Sequence, residues 1–283
     1  MNGKVCVVTG ATSGVGRATA MILGSTGATV ILVCRDRKRG EAIKKEIIRK
    51  TKNKNISVMF ADFTYLHSIK QLAKKFKEHH QYLHILINNA GVLHSKRILT
   101  KDGYETTFQV NYLAPFLLTN LLLRVIKKSA PSRIVNVTSD EHIRGSIDFD
   151  NLHGEKHYGG YWAYARSKLA LILFTYKLAE KLVGTKVTVN CVHPGSIATN
   201  IGRNSSGIMG LYFKVGKRFM KKPEQGAEEI VYLATSSEAE KVTGKYFIDK
   251  TISKSSKLSY DKVVADRLWK KTIDLIGKRF VIL

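Results

Sequence analysis

A buried-strand pattern that runs straight into a glycine turn and a helix limits this chain more than any other stretch. Residues 4–9 (Lys-Val-Cys-Val-Val-Thr) read as a fully buried strand. Thr9-Gly10-Ala11-Thr12-Ser13-Gly14-Val15-Gly16 follows and opens a helix expected to run to about Thr26. The glycines at 10, 14 and 16 are not spaced G-x-G-x-x-G, yet they suit the same task. Gly10 permits a sharp exit from the strand. Gly14 and Gly16 let backbone approach a pyrophosphate at a helix N-terminus, where free N–H groups and the helix dipole favour an anion. The bland alternative is an ordinary glycine-rich turn; a strand before and a helix after favour the nucleotide.

The same alternation continues. Strands are expected at Thr29–Cys34, Ile56–Ala61, Leu83–Ile87, Arg133–Val137, Lys186–Val192 and Gly244–Ile248. Helices are expected at 38–52, Leu66–His79, Tyr104–Lys128, from just after Gly159-Gly160 to Leu182, at Pro223–Thr235 and at Asp261–Ile276. Residues 249–259 read as a loop. Strands that alternate with helices build a parallel, doubly wound sheet of about seven strands with helices on both faces. No Pro/Ser/Gly-rich linker and no internal repeat divides the 283 residues, so a single domain is expected.

Composition narrows the setting. The three cysteines, Cys6, Cys34 and Cys191, each lie inside an apolar run, as buried small hydrophobes do. That pattern fits a reducing compartment rather than a disulfide framework or a zinc site. A strand beginning by Lys4 leaves no room for a signal peptide, and Tyr112–Leu123 is too short and interrupted to span a bilayer. A cytoplasmic protein is expected. Its charge is unusual: 47 Lys+Arg against 22 Asp+Glu gives +25. A general lysine-rich bias comes first among the readings, an anionic membrane surface second and nucleic acid third, since no recognition module is visible. His84 enters the fourth strand and no cysteine accompanies His79, His80 and His84, so solvated histidines are the reading and no metal is expected.

Ligands of such sheets bind at the strands' carboxyl ends. Thr9-Gly10, Asp62-Phe63, Asn88-Asn89-Ala90-Gly91, Ser139 and Pro194-Gly195 all fall there. Asp62 could meet an adenine amino group with Phe63 packed nearby, or simply cap the next helix. The second strand ends in Arg35-Asp36-Arg37, and Arg17 follows the glycine turn. Arginine accommodates the 2′-phosphate of NADP and an acid takes the ribose hydroxyls of NAD, so Arg35 and Arg17 favour NADP(H) while Asp36 argues for NAD(H). Asn111 sits inside a helix, where its propensity is poor, which hints at a hydrogen-bonding duty. Tyr164-Ala-Arg-Ser-Lys168 puts a phenol and an ammonium four residues apart on one helical face. Such a pair is often accidental; as a proton-transfer unit, its cation should pull the phenol pKa below about 10.

Taken together, the glycine turn at 9–16, Asn88-Asn89-Ala90-Gly91, Ser139, Tyr164-x-x-x-Lys168 and Pro194-Gly195 resemble the short-chain dehydrogenase/reductase family in kind and in order, over nearly the whole chain. Within it, Val33-Cys34-Arg35-Asp36, Leu83 to Val92, Ile134 to Ser139, Phe116-Leu117-Leu118-Thr119, Ser167-Lys168-Leu169-Ala170 and Gly244-Lys245-Tyr246-Phe247 are similar to the retinol dehydrogenase group. Thr138 and Asp140-Glu141 depart from that group's pattern.

The resemblance implies a Rossmann-type fold and a tetrad of Asn111, Ser139, Tyr164 and Lys168. Tyr164 would exchange the proton with the reacting oxygen. Lys168 would lower the Tyr164 pKa and hold the nicotinamide ribose. Ser139 would donate to the reacting oxygen, and Asn111 would hold a water that links Lys168 to solvent. Cofactor contacts would come from Gly10, Thr12, Ser13, Gly14, Val15, Gly16, Arg17, Arg35, Asp62, Phe63, Asn89, Ala90, Gly91, Tyr164, Lys168, Pro194, Gly195, Ile197 and Thr199, with Thr199 on the nicotinamide amide.

Residues 200–222 mix apolar and basic side chains and correspond to the family's substrate lid, suited to a lipophilic alcohol or carbonyl drawn from an anionic membrane surface. The loop and helix from 249 to 283 end in an apolar tail, Lys278–Leu283, a candidate dimer or membrane contact. The expected function is an NADP(H)-dependent oxidoreductase interconverting a lipophilic alcohol and its aldehyde or ketone, retinol/retinal-like or another lipid carbonyl. A steroid or tetrapyrrole reductase and a non-catalytic dinucleotide-binding sensor or scaffold are the alternatives.

Overall fold

The computed structural model describes residues 1–195 and 221–281. Its centre is an eight-stranded sheet in the order β3-β2-β1-β4-β5-β6-β7-β8. The strands are β1 (Val5–Thr9), β2 (Thr29–Cys34), β3 (Ile56–Phe60), β4 (Ile85–Asn88), β5 (Ser132–Val137), β6 (Val187–His193), β7 (Tyr246–Ile248) and β8 (Thr251–Ser253). All pairings are parallel except β7 with β8. Strand order reverses at β1, which pairs with β2 on one side and β4 on the other. A crevice opens at that switch, beyond the carboxyl ends of both strands.

The near-continuous apolar character of the strands follows from burial on both faces. Along β1, Cys6 and Val8 face one core while Val7 faces the other. In β4, Ile85 and Ile87 share the first core and Leu86 the second. Helices α1 (Gly14–Ser25) and α2 (Arg37–Thr51) cover one face. The other face carries α3 (Leu66–His79), α5 (Ala114–Lys128) and α6 (Gly160–Lys181). Helix α7 (Pro223–Thr235) packs beside α1, and α8 (Lys262–Ile276) lies over α5 and α6.

Differences from the expected elements have local causes. An eighth strand occupies part of the expected 249–259 loop. Asp249 and Lys250 both take positive φ (51° and 60°), closing the tight two-residue turn that joins β7 to β8. Neither residue is the usual Asn-Gly signal, and β8 is three residues long and largely exposed, so alternation could not reveal it.

The expected continuous helix over Tyr104–Lys128 begins instead as a short turn, α4 (Thr106–Phe108), passes through a π turn at Gln109–Leu113, and only then becomes α5. Pro115 has no N–H for the carbonyl of Asn111 four residues back, and the chain widens there rather than breaking. Thr106–Lys128 is apolar and long enough to cross a membrane by composition alone, and it is mostly buried in the fold. His84, expected where the chain enters the fourth strand, is tied to β1: its Nδ1 accepts from the Val5 N–H at 3.0 Å.

Helix α8 explains why α6 is buried almost all round. Trp269 packs edge-on to Phe116 at 4.8 Å and stacks with Phe174 at 5.9 Å. The Tyr112 hydroxyl meets Thr272 Oγ1 at 2.6 Å. Burial of a side chain such as Trp269 contributes a few kcal/mol, about 25 cal/mol per Å² of apolar area. The described part of the C-terminal tail is also spent within the chain: Phe280 and Val281 pack on this core, and Lys70 Nζ lies 3.9 Å from the Phe280 ring.

Candidate active site

The glycine turn is assembled by Thr9, the last residue of β1. Its hydroxyl donates to the Ile87 carbonyl and accepts from the N–H groups of Asn89 and Ala90 at 2.9 and 3.0 Å. Asn89 returns the tie, its side-chain amide donating to the Thr9 carbonyl at 2.8 Å. The two strand ends at the switch point are thereby locked together. No Cβ is tolerated here. One on Gly10 would lie 2.9 Å from Ala90 Cα, and one on Gly16 would lie 2.3 Å from Asn89 Nδ2 and 2.5 Å from the Gly10 carbonyl.

Helix α1 then starts at Gly14 after the exposed Ser13, whose side chain makes no capping bond, and no acid sits in its first turn. Its leading N–H groups therefore have no side-chain partner among the described residues, as an anion site requires. Thr12 is half-buried beside them, and Val15 turns into the core. These residues fit the pyrophosphate of a dinucleotide.

At the far side of β1 the charged residues sort themselves. Asp36 caps α2, accepting from the Arg39 N–H at 3.0 Å, and pairs with the Arg39 guanidinium at 3.5 Å. Arg17 is held by Glu46 of α2 through a two-pronged contact, Nε at 3.1 Å and Nη2 closer still. Arg35 is exposed at the end of β2. Asp62 directs Oδ1 to the N–H and hydroxyl of Thr64, at 2.9 and 2.8 Å. Asp62 is not the cap of α3; Asp102 accepts the leading Leu66 N–H at 2.7 Å. Phe63 has its ring in the core and its carbonyl on Gln109 Nε2.

The four expected tetrad residues come from three elements, Asn111 from the π turn, Ser139 from the turn after β5, and Tyr164 with Lys168 from α6, and all are buried. Lys168 donates to the Val137 carbonyl at 2.9 Å, and its Nζ lies 5.5 Å from the Tyr164 ring centroid. Gly91 lies between Lys168 and Asn111: a Cβ there would stand 3.6 Å from Lys168 Nζ and 3.5 Å from Asn111 Oδ1. Asn111, inside the π turn, spends its side chain as a brace. Oδ1 accepts from the Val92 N–H at 2.8 Å, while Nδ2 donates to the Val92 carbonyl at 2.9 Å and to Ser167 Oγ at 3.0 Å. A helix-interior asparagine is thus explained by a strut between the β4 loop and α6.

Ser139 follows β5 and starts a 3-10 turn at Asp140–Arg144. Its hydroxyl accepts from the Glu141 N–H at 3.3 Å and donates to the Asp140 carboxylate at 3.2 Å. His193, ending β6, accepts the Asp140 N–H at Nδ1 (3.3 Å). The other acid, Glu141, is engaged by the Tyr161 hydroxyl and by Arg144.

The electrostatics correct one expectation. Lys168 does not hold the Tyr164 pKa below its ordinary value. Burial pushes the phenol well up, assisted by Glu141 and Asp140, and a hydrogen bond with Ser139 only partly opposes this. The Lys168 ammonium is itself buried, and that lowers its pKa to about 8. Burial thus favours the protonated phenol, the form that gives a proton in reduction.

Pro194 and Gly195 are in place after β6. Gly195 has φ +87°, with the Lys221 side chain against it where a Cβ would lie 2.9 Å from Lys221 Cδ. Ile197, Thr199 and nearly all of the 200–222 lid lie outside the described residues. Residue-by-residue reading did not single out Glu46, Ser167, His142 or His193 as site-building residues. Each acts through a contact across the fold that no local spacing announces.

Comparison with known proteins converges on one family. The chain matches the short chain dehydrogenase family over residues 4–207. It is 44% identical to "Retinol dehydrogenase 11" of Homo sapiens over 275 residues, covering 97% of this chain and 86% of that protein. It is 43% identical to "Retinol dehydrogenase 13" of Homo sapiens, covering 97% and 85%. Among solved structures, a Mycobacterium paratuberculosis protein superimposes with a TM-score of 0.79 at 28% identity, covering 97% of this chain and 94% of that one. The Pseudomonas aeruginosa RhlG/NADP active-site complex superimposes with a TM-score of 0.70 at 25% identity, covering 87% and 94%.

Proposed function

Because this chain belongs to the short-chain dehydrogenase family, an oxidoreductase family that binds NAD(P)(H), we propose that it is an NADP(H)-dependent enzyme interconverting a retinol-type alcohol and its carbonyl. The observation that carries the reading is the meeting of Ser139, Tyr164 and Lys168 at the carboxyl end of the sheet, beside a glycine turn with no room for side chains. A bound nicotinamide would supply or accept the hydride.

The chain's own residues do the rest. Tyr164 gives its phenolic proton to the carbonyl oxygen in reduction or takes the alcohol proton in oxidation. Ser139 donates a hydrogen bond to the same oxygen as charge develops on it, turning from Asp140 to do so. The Lys168 ammonium steadies the phenolate that remains and would hold the ribose of a bound nicotinamide. Asn111 braces the loop after β4 against α6; its side chain is already committed, so a water near Lys168 would rest on its backbone.

The NADP(H) choice rests on Asp36. The acid that would take ribose hydroxyls is occupied by the α2 N-terminus and Arg39, while Arg35 is exposed beside it. The retinoid class rests on relatives that are named for retinol and cover nearly the whole chain. A lipophilic substrate and a charge of +25 together support collection of that substrate from an anionic membrane surface.

The test is a panel of all-trans-retinal, aliphatic aldehydes, steroids and quinones with NADPH and with NADH. Retinal reduced fastest, and with NADPH, is the expected result. Turnover confined to steroids would favour a steroid reductase, and no turnover with NADPH still bound would favour a sensor.

A further inference from the structure

His142 lies directly behind the active-site serine and is fully buried. Its Nδ1 meets the Ser139 carbonyl at 2.7 Å, and its Nε2 accepts the Ser256 N–H at 3.0 Å. The carbonyl can only accept and the amide can only donate, so both bonds form in one state alone: the neutral ring with its proton on Nδ1. Burial holds the imidazole pKa below the ordinary histidine value and His193 adds to this, while the Ser139 carbonyl and Asp140 oppose it. The ring also stands edge-on to Tyr246 of β7 at 5.0 Å. Gly145, at the end of the same 3-10 turn, touches α6 so closely that a Cβ there would lie 2.7 Å from the Ala165 carbonyl. The turn bearing Ser139 is thus pinned on one side to the helix carrying Tyr164 and on the other, through His142, to the segment that precedes α8.

We propose that His142 is a positioning residue, which sets the Ser139 hydroxyl opposite Tyr164 by bridging the Ser139 carbonyl to the Ser256 amide, so that the C-terminal segment becomes part of the support of the reaction centre. The inference rests on the reading of Ser139 as the hydrogen-bond donor to the reacting oxygen. A residue present only to fill space would be better apolar. Here the imidazole lies among polar groups, and the Tyr246 hydroxyl and Ser256 Oγ nearby are buried with no partner among the described residues. Buried polar groups left in that state cost stability, and such costs concentrate where position matters.

The experiment compares full-length His142→Phe, His142→Asn, His142→Gln and Ser139→Ala, using all-trans-retinal and NADPH, with NADPH binding followed separately by fluorescence. Phe fills the volume and makes neither bond. Asn places an amide nitrogen near the position of Nδ1 and restores the bond to Ser139. Gln reaches toward Ser256 instead. The expected result is a kcat lowered roughly 10- to 100-fold in His142→Phe, the scale of a misplaced reacting group, with the NADPH Kd changed less than about twofold. His142→Asn should recover most of the loss and His142→Gln little.

If His142→Phe does not fold, the ranking of Asn above Gln decides, and equal kcat values in these two overturn the proposal. Wild-type kcat in His142→Phe overturns it as well. Wild-type kcat in Ser139→Ala would instead overturn the reading of Ser139. An inactive Ser139→Ala beside unaffected His142 variants removes the positioning role alone.

Discussion

Arg17 and Glu46 face each other across the gap between α1 and α2, with the guanidinium Nε 3.1 Å from Glu46 Oε2 and Nη2 against Oε1. Lys50 adds a second cation at 3.0 Å, and Arg17, before Lys50, holds the Glu46 carboxyl below its usual pKa. A guanidinium held this way is not available to a 2′-phosphate without giving up a carboxylate. Arg35→Ala should therefore raise the KM for NADPH roughly 10- to 100-fold, the range of a charge-assisted hydrogen bond, and change that for NADH little. Arg17→Ala should have the smaller effect. Steady-state kinetics with both cofactors checks this; equal losses of NADPH and NADH in Arg35→Ala would defeat the NADP(H) assignment.

Tyr164→Phe removes one oxygen from a buried ring and leaves the packing intact. Retinal reduction should fall by about 10²- to 10⁴-fold, the contribution of a positioned acid. NADPH binding by fluorescence should be unchanged. Turnover at the wild-type rate would remove Tyr164 from the chemistry.

Lys168 makes stability depend on pH in a direction that can be worked out. Its pKa is about 8 folded, against 10.5 in the unfolded reference. Between those values the unfolded chain binds the extra proton, so stability rises with pH across this window. The full effect of such a shift is about 3 kcal/mol. Urea titrations of the cofactor-free protein at pH 7.5 to 9.5 (roughly the lower part of that window) should show wild type gaining on Lys168→Met as pH rises. Parallel pH profiles would show that the buried ammonium carries no such penalty.

Gly16→Ala puts a methyl group into space already held by Asn89 and the Gly10 carbonyl. Because a carbonyl of the backbone cannot swing away, the glycine turn must shift. About 1–3 kcal/mol of stability should be lost, as for overpacking elsewhere, together with most NADPH affinity. Thermal melts and fluorescence titration of the same samples test both; an unchanged Kd would mean that the turn does not contact the cofactor.

A charge of +25 predicts a salt-sensitive attraction to anionic bilayers. Sedimentation with phosphatidylserine-containing vesicles at low salt should retain the protein, and physiological salt should weaken retention. Equal recovery with neutral and anionic vesicles would rule out the electrostatic contact.

Much of this protein was legible in the chain itself. Buried strands run to four or more β-branched and apolar residues, and a turn that must bring backbone against backbone demands glycine, so β1, the glycine turn and α1 could be read within a residue or two. The pairing of Tyr164 with Lys168 follows from helical spacing alone. Tertiary structure alone decided what those residues experience. The Tyr164 pKa rises because desolvation by the packed core outweighs everything around it, and burial is a property of the assembled fold. Asn111 became a brace because it sits in a π turn with its amide on Val92 and Ser167. Asp36 and Arg17 lost their apparent freedom to Arg39 and to Glu46, the latter 29 residues away from Arg17. His142 gained its place from Ser256, 114 residues distant. Local pattern specifies which groups a strand or helix presents; which partners satisfy them is settled only when distant elements pack together.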